Sequence, residues 1–149
     1  MLWIGTEDGG LNRFNLNTKE FSFFAPSAGF TNIHGLCLVD DKLWVGTFSK
    51  GLKIIDTRTG TVLKTYQKNS SPRSLIDNSI FAICRTATGD IYLGTMFGLV
   101  KYNKQSDDFD RIPELNGKFV YDIKEDSGGN IWLATYANGA YCYNVNDRK

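Results

Sequence analysis

Short apolar runs alternate with clusters of Gly, Asp, Asn and Ser along the whole chain. Runs such as Leu43-Trp44-Val45-Gly46-Thr47 are rich in aromatic and β-branched residues and too short for helices. No window sustains the 3.6-residue apolar period of an amphipathic helix. The pattern therefore predicts short strands joined by tight turns, with no helix longer than a turn or two.

The runs are copies of one another. Leu2-Trp3-Ile4-Gly5-Thr6 returns as Leu43-Trp44-Val45-Gly46-Thr47, Ile91-Tyr92-Leu93-Gly94-Thr95 and Ile131-Trp132-Leu133-Ala134-Thr135. Strands are expected over residues 2–6, 41–47, 90–95 and 130–135. The aromatic positions 3, 44, 92 and 132 give spacings of 41, 48 and 40 residues. Each copy is followed by a glycine and a second apolar run, starting at Gly10, Gly51, Gly98 and Gly139. A third element precedes the aromatic: Ile33, Leu36 and Cys37 correspond to Ile80, Ile83 and Cys84, then to Val120, Ile123 and Lys124. A more variable run closes each unit, at residues 21–24, 62–66 and 109–112. Turns such as Ala87-Thr88-Gly89-Asp90 and Asp126-Ser127-Gly128-Gly129-Asn130 supply the positive-φ positions of hairpins.

Four antiparallel strands in a repeat of about 40 residues make one blade of a propeller. The fold class is all-β, a β-propeller fragment of about 3.5 four-stranded antiparallel blades forming an incomplete ring. Blades are expected at approximately 1–25 (partial), 33–67, 79–112 and 118–145 (partial). With the strands named a to d from the inside out, the apolar second strand b is packed on both faces by neighbouring blades. The extra residues of the long repeat fit an insertion between strands d and a, around residues 69–74.

Charge narrows the function classes. Seventeen basic and sixteen acidic residues, well mixed, leave no electrostatic footprint for nucleic acid or an anionic membrane. No stretch has the roughly 20 apolar residues of a membrane span, and the N-terminus lacks the basic and apolar regions of a signal peptide. Three cysteines (Cys37, Cys84, Cys142) without CxxC spacing and a single histidine, His34, argue against a zinc site. The thiols read as free and packed. No cofactor is expected.

The repeats resemble the two-component regulator propeller repeat, whose consensus runs approximately sLxxnxVxxIxeDxxGxlWiGTxxgGlxxyd. The third repeat carries Ser74-Leu75, Asn78, Ile80, Ile83, Gly89, residues 91–95, Gly98-Leu99 and Tyr102-Asn103. The fourth carries Val120, Ile123, Glu125-Asp126, Gly129, Ile131-Trp132-Leu133 and Thr135, with Ala134 in place of the usual glycine. The resemblance implies part of the periplasmic sensor region of a bacterial hybrid histidine kinase, a ligand-sensing module without enzymatic activity, often responding to glycans. A propeller-fold lyase or glycosidase fragment and a protein-interaction scaffold are the alternatives. The absence of a WD dipeptide disfavours the latter.

Several conspicuous residues fit plainer roles. His34, at the start of an inner strand, has no Ser, Cys or Asp at a catalytic spacing and reads as a structural or rim residue. Asp107-Asp108-Phe109-Asp110 offers paired carboxylates, but its place on a c-to-d turn makes it a solvated turn. Asp126 to Asn130 reads as a hairpin turn rather than a calcium loop. Topology places the b-to-c and d-to-a connections on one face, where variable loops carry specificity. The ligand-binding candidates are Phe48, Lys50, Phe97, Tyr136, Asn138, Asn32, Arg73 and Asn78. The aromatics either stack on sugar rings of an oligosaccharide or plug the space between blades.

An open fan also exposes a flat apolar sheet at each end. Four strands give a footprint of roughly 320 Å² per end, or roughly 1,300 Å² over two chains, the size of a stable interface. A homo-oligomer, most simply a dimer closing a ring, is expected.

Overall fold

The structure, a computed structural model, describes residues 1–24, 29 and 32–144. The expected blade limits at 25 and 145 lie outside these residues. Fourteen strands form four antiparallel sheets among the described residues. The first sheet holds β1 (Leu2–Gly5), β2 (Leu11–Phe14) and β3 (Phe21–Phe23). The second holds β4 (Ile33–Val39), β5 (Lys42–Thr47), β6 (Leu52–Asp56) and β7 (Val62–Tyr66). The third holds β8 (Ile80–Arg85), β9 (Ile91–Thr95), β10 (Gly98–Asn103) and β11 (Asp108–Arg111). The fourth holds β12 (Val120–Glu125), β13 (Ile131–Thr135) and β14 (Gly139–Tyr143). Every sheet runs up and down in sequence order, and the only helical element described is one 3-10 turn, Pro113–Leu115. This is an incomplete propeller: b–c–d, two complete blades, then a–b–c.

Strands β4, β8 and β12 lie against one another, which makes strand a the innermost. Each pair of neighbouring sheets encloses its own core. Trp44, Leu52 and Ile54 of the second sheet meet Ile80, Ile91, Leu93, Val100 and Phe109 of the third. Leu75, in the long connection between β7 and β8, is fully buried in the same core. That burial is worth about 1.5–3 kcal/mol and is why the inserted segment is held rather than loose.

Two features of the repeated motif have direct structural causes. The motif threonine reaches across the b-to-c loop: Thr47 Oγ1 donates to Gly51 O at 2.8 Å and Thr95 Oγ1 to Gly98 O at 2.9 Å. Thr6 and Thr135 make the same bond to Gly10 O and Gly139 O. In the first two blades the same carbonyl also accepts the threonine's own N–H, so the hydroxyl adds a second bond that closes the loop. The motif glycine permits close approach: a Cβ on Gly46 would stand 2.7 Å from Ile80 Cγ2, and one on Gly94 2.8 Å from Val120 Cγ1. Gly5 meets Ile33 in the same way.

Strand b is continuously apolar because it is covered twice. All five residues of β9 are buried. In β13 the pattern becomes alternating, because among the described residues the sheet has a neighbour on one face only. Free cysteines follow the same rule: Cys37 and Cys84 are half-buried, whereas Cys142, on the outer face of the last sheet, is exposed. The expectation of packed thiols therefore fails at Cys142.

Candidate functional site

The b-to-c loops and the starts of the inner strands lie together, since Thr47, Thr95 and Thr135 pair with Ile33, Ile80 and Val120. At each of these pairs the inner strand carries one extra residue. The register shifts between Ile33 and Gly35, between Ile80 and Ala82, and between Val120 and Asp122. The inserted residues are His34, Phe81 and Tyr121. A bulge breaks the side-chain alternation of a strand and re-aims one residue. Here three equivalent bulges each present a ring.

These rings join those of the adjacent loops into a continuous aromatic arc across three blades. The His34 and Phe81 centroids lie 4.7 Å apart, Phe48 lies 6.3 Å from His34 and 6.2 Å from Phe81, and Phe81 lies 4.4 Å from Phe119. Tyr121 stands 5.8 Å from both Phe81 and Phe119, and Tyr136 stands 5.7 Å from Phe119. These separations are those of favourable edge and tilted ring pairs. The rings are not core: His34, Phe48, Tyr121 and Tyr136 are exposed, and Phe81 and Phe119 are half-buried. Backbone bonds fix the loops beneath them, with Phe48 N donating to Asn32 O and Tyr136 N to Phe119 O.

Of the residues expected to bind ligand, Phe48 and Tyr136 stand on this arc, and Asn32 is tied to Phe48 through its backbone. Lys50 and Asn138 share the loops of Phe48 and Tyr136, and Asn138 Nδ2 donates to Ala137 O. Phe97 is exposed but one residue out of step. The third blade has a two-residue loop, so Met96 occupies the position of Phe48 and Tyr136, and Met96 N bonds Ser79 O. Asn78 is occupied in its own connection, its Oδ1 accepting from Lys68 N at 2.7 Å.

Arg73 does not join the arc. Its Nε and Nη2 grip Asp108 at 2.5 and 2.6 Å, and its Nη1 reaches Asp110 at 2.8 Å. It pins the long connection to the outer strand β11 instead, where Arg73 O also accepts from Phe109 N. The acidic turn is correspondingly more than a solvated one: Asp107 accepts from the Tyr66 and Tyr102 hydroxyls and pairs with Lys64. His34, Phe81, Phe119 and Tyr121 were missing from the expected binding set. The signal for His34, Phe81 and Tyr121 is the column immediately after Ile33, Ile80 and Val120, which reads His, Phe, Tyr; Phe119 lies outside it.

Two carboxylates are held well below the usual range. Asp108 is lowered to about 2, chiefly by its bonds from Arg73 and then from Ser106. Asp126 is also lowered to about 2, by Asn130 Nδ2 and by Trp132 Nε1, which donates at 2.8 Å. A depressed carboxylate stabilises the fold above its unfolded pKa of about 3.9 and loses that contribution as pH falls towards its folded value. Both ties are thus complete at neutral pH and weaken between about pH 4 and pH 2. Carboxyl-carbon NMR titration should find both midpoints near 2, and Arg73→Gln should raise that of Asp108 while leaving Asp126 unmoved. Equal shifts of both would contradict the assignment.

Comparison with known proteins places this architecture. Residues 74–97 and 114–137 match the two component regulator propeller family. The chain carries two component regulator propeller repeats. Histidine kinase P4 of Formosa agariphila is 32% identical over 147 residues, covering 91% of this chain and 11% of that kinase. Among solved structures, the extracellular domain of a hybrid two component system from B. thetaiotaomicron shares the fold with a TM-score of 0.81 at 24% identity. It covers 99% of this chain and 20% of its own. A second such domain from the same organism gives 0.75 at 22% identity over 97% of this chain and 19% of its own. The chain therefore spans about a tenth of the length of the kinase and about a fifth of these ectodomains. Among the described residues, no helix is long and apolar enough to cross a membrane.

Proposed function

We propose that the chain is a non-enzymatic, ligand-binding part of the periplasmic sensor region of a bacterial two-component regulator, and that the ligand is a carbohydrate. The observation that supports this most directly is the aromatic arc. Rings that served only to fill space would be buried, as Phe109 and Trp44 are. The arc instead presents ring faces and edges to solvent from rigid strands, next to the hydrogen-bonding side chains of Lys50 and Asn138. Sugar rings have apolar C–H faces bordered by hydroxyls, and such a surface complements both. The placement follows the general rule that a rigid scaffold carries its binding groups on bulges and loops. The family and the extracellular domains that share the fold support the sensor role.

The test is binding of the chain to a panel of neutral and uronic-acid oligosaccharides, read by calorimetry. Tyr136→Ala and Phe48→Ala should each weaken binding about tenfold or more, the scale of losing an aromatic hot spot. Both should leave the melting temperature nearly unchanged. A fall in melting temperature matching that of a core variant would instead identify these rings as packing. Turnover of any of the oligosaccharides would favour the enzyme reading.

A further inference from the structure

The long connection between β7 and β8 does more than join two blades. The repeat spacing of 48 residues, against 41 and 40, places the additional residues 69–74 between a strand d and the next strand a. Arg73 clamps this segment to Asp108 and Asp110, and Leu75 is buried in the core beside it. The clamp accounts for Arg73 and Leu75. It does not account for the space left between the segment and the outer strands β7 and β11, a cleft of about 230 Å³. Thr65 and Tyr66 of β7, the following Gln67, and Asn69 and Ser71 of the segment line it, and the buried Leu75 and Phe109 complete its apolar part. The whole lining belongs to the second and third sheets, both four-stranded, and to the connection between them.

The charged groups of the lining are already engaged with one another. Asp107 accepts from the Tyr66 and Tyr102 hydroxyls and pairs with Lys64, and Arg73 is shared between Asp108 and Asp110. What remains for a ligand is uncharged. Asn69 Oδ1 accepts from Ser71 N at 2.8 Å, which fixes the amide and leaves its Nδ2 without a protein partner among the described residues. Thr65 Oγ1 and Gln67 Oε1 likewise have none, although Gln67 Nε2 donates to Lys50 O. The segment carrying Asn69 is set before any ligand arrives. Ser74 Oγ donates to Ser71 O at 2.8 Å, Asn69 N donates to Ser74 Oγ at 3.2 Å, and Ser71 Oγ accepts from Arg73 N at 3.2 Å. Pre-formed polar groups set against an apolar surface are the usual make-up of a small-molecule site, and holding them in place beforehand lowers the cost of binding.

We propose that this cleft is a second binding site, distinct from the aromatic arc, for a neutral polyhydroxylated ligand the size of one sugar ring. The arc stands on inner-strand bulges and b-to-c loops, whereas the cleft is lined by outer strands and the connection that follows β7. Its volume is below the roughly 300–1,000 Å³ of sites that take drug-sized molecules. Hydroxyls of a sugar match the free Asn69, Gln67 and Thr65 groups, and its C–H edges match Tyr66, Leu75 and Phe109. A carboxylate or ammonium would enter without a counter-charge that is not already paired, at the cost of desolvation. The site stands on its own lining and does not depend on the carbohydrate reading of the arc.

The experiment is a proton–nitrogen NMR titration of the 149-residue chain with D-glucose, D-galactose and D-mannose. Concentrations up to about 50 mM cover the millimolar Kd of a small neutral ligand. At least one hexose should shift the side-chain amide signals of Asn69 and Gln67 saturably. Thr65→Val and Gln67→Leu, both at exposed positions, should each weaken that binding about fivefold, the scale of one hydrogen bond between neutral groups. The same spectra show whether each variant keeps its fold. The uronate and the 2-amino sugar corresponding to the hexose that binds should both bind more weakly than it does. The proposal is overturned if no hexose shifts the two amides, if both variants bind like the parent chain, or if the charged sugars bind equally well. Shifts confined to the arc overturn it too, and leave the proposed function standing.

Discussion

Phe109→Ala lowers the unfolding free energy by about 3–5 kcal/mol, the cost of emptying a large core site. Phe21→Ala, at the same register position, changes it by about 0.5 kcal/mol or less. The side chains are chemically identical, and both sit on strand d opposite an aromatic of strand c. They differ in what lies across the sheet. Phe109 fills the core between the second and third sheets and meets the rings of Tyr66 and Tyr102 at 5.1 and 5.7 Å. Phe21 rests on Phe14 at 4.5 Å and otherwise faces solvent. Urea unfolding of both variants measures the pair. Equal losses would mean that stability resides within each sheet rather than between sheets.

That dependence on neighbours also explains what could be read from the sequence. The aromatic–aliphatic–glycine–threonine motif recurs because each blade must satisfy the same packing, so strand b of every sheet was legible within a residue of its limits. Loop positions on a face were legible too, which is how Phe48 and Tyr136 were found. The bulges were not. A run such as Ile80-Phe81-Ala82-Ile83 reads as plain apolar strand, and the one-residue slip that turns Phe81 out exists only in its pairing with β9. Arg73 was misplaced for a related reason. Its loop borders the right face in the topology, but the carboxylates that capture it, Asp108 and Asp110, lie in a strand 35 and more residues later. Charge pairing over that distance has no periodicity to betray it.

The propeller thus keeps packing apart from the proposed binding surface. Packing between sheets centres on strand b, whose aromatic–aliphatic–Gly/Ala–Thr motif recurs in every blade of this chain. The inner-strand bulge and the b-to-c loop, which vary as His34, Phe81 and Tyr121 and as Phe48, Met96 and Tyr136, are free of that duty. On the proposed function, substitution on the arc alters recognition without loosening the core.

Gly46→Ala should destabilise the chain by about 1–2 kcal/mol, although backbone preference alone predicts the opposite sign. A glycine inside a strand ordinarily costs about 0.5–1 kcal/mol relative to alanine, so the change should help. The added methyl, however, would lie 2.7 Å from Ile80 Cγ2 and 3.0 Å from both Ile80 Cβ and Ile80 O. Two of these atoms cannot yield by rotating a side chain, and Ile is stiff at χ1. Overpacking of this kind costs about 1–3 kcal/mol and exceeds the propensity gain. Ala134 occupies the equivalent place on the last sheet, where it is exposed among the described residues. Ala134→Gly should accordingly lose about 0.5–1 kcal/mol, the ordinary strand penalty, with no packing gain to offset it. The two substitutions run in opposite directions and both should lower stability, because each residue suits the neighbour it has. Thermal and urea unfolding of the pair would decide the matter. A stabilised Gly46→Ala would show that the sheets can draw apart at little cost, and the close approach would no longer explain the glycine of the motif.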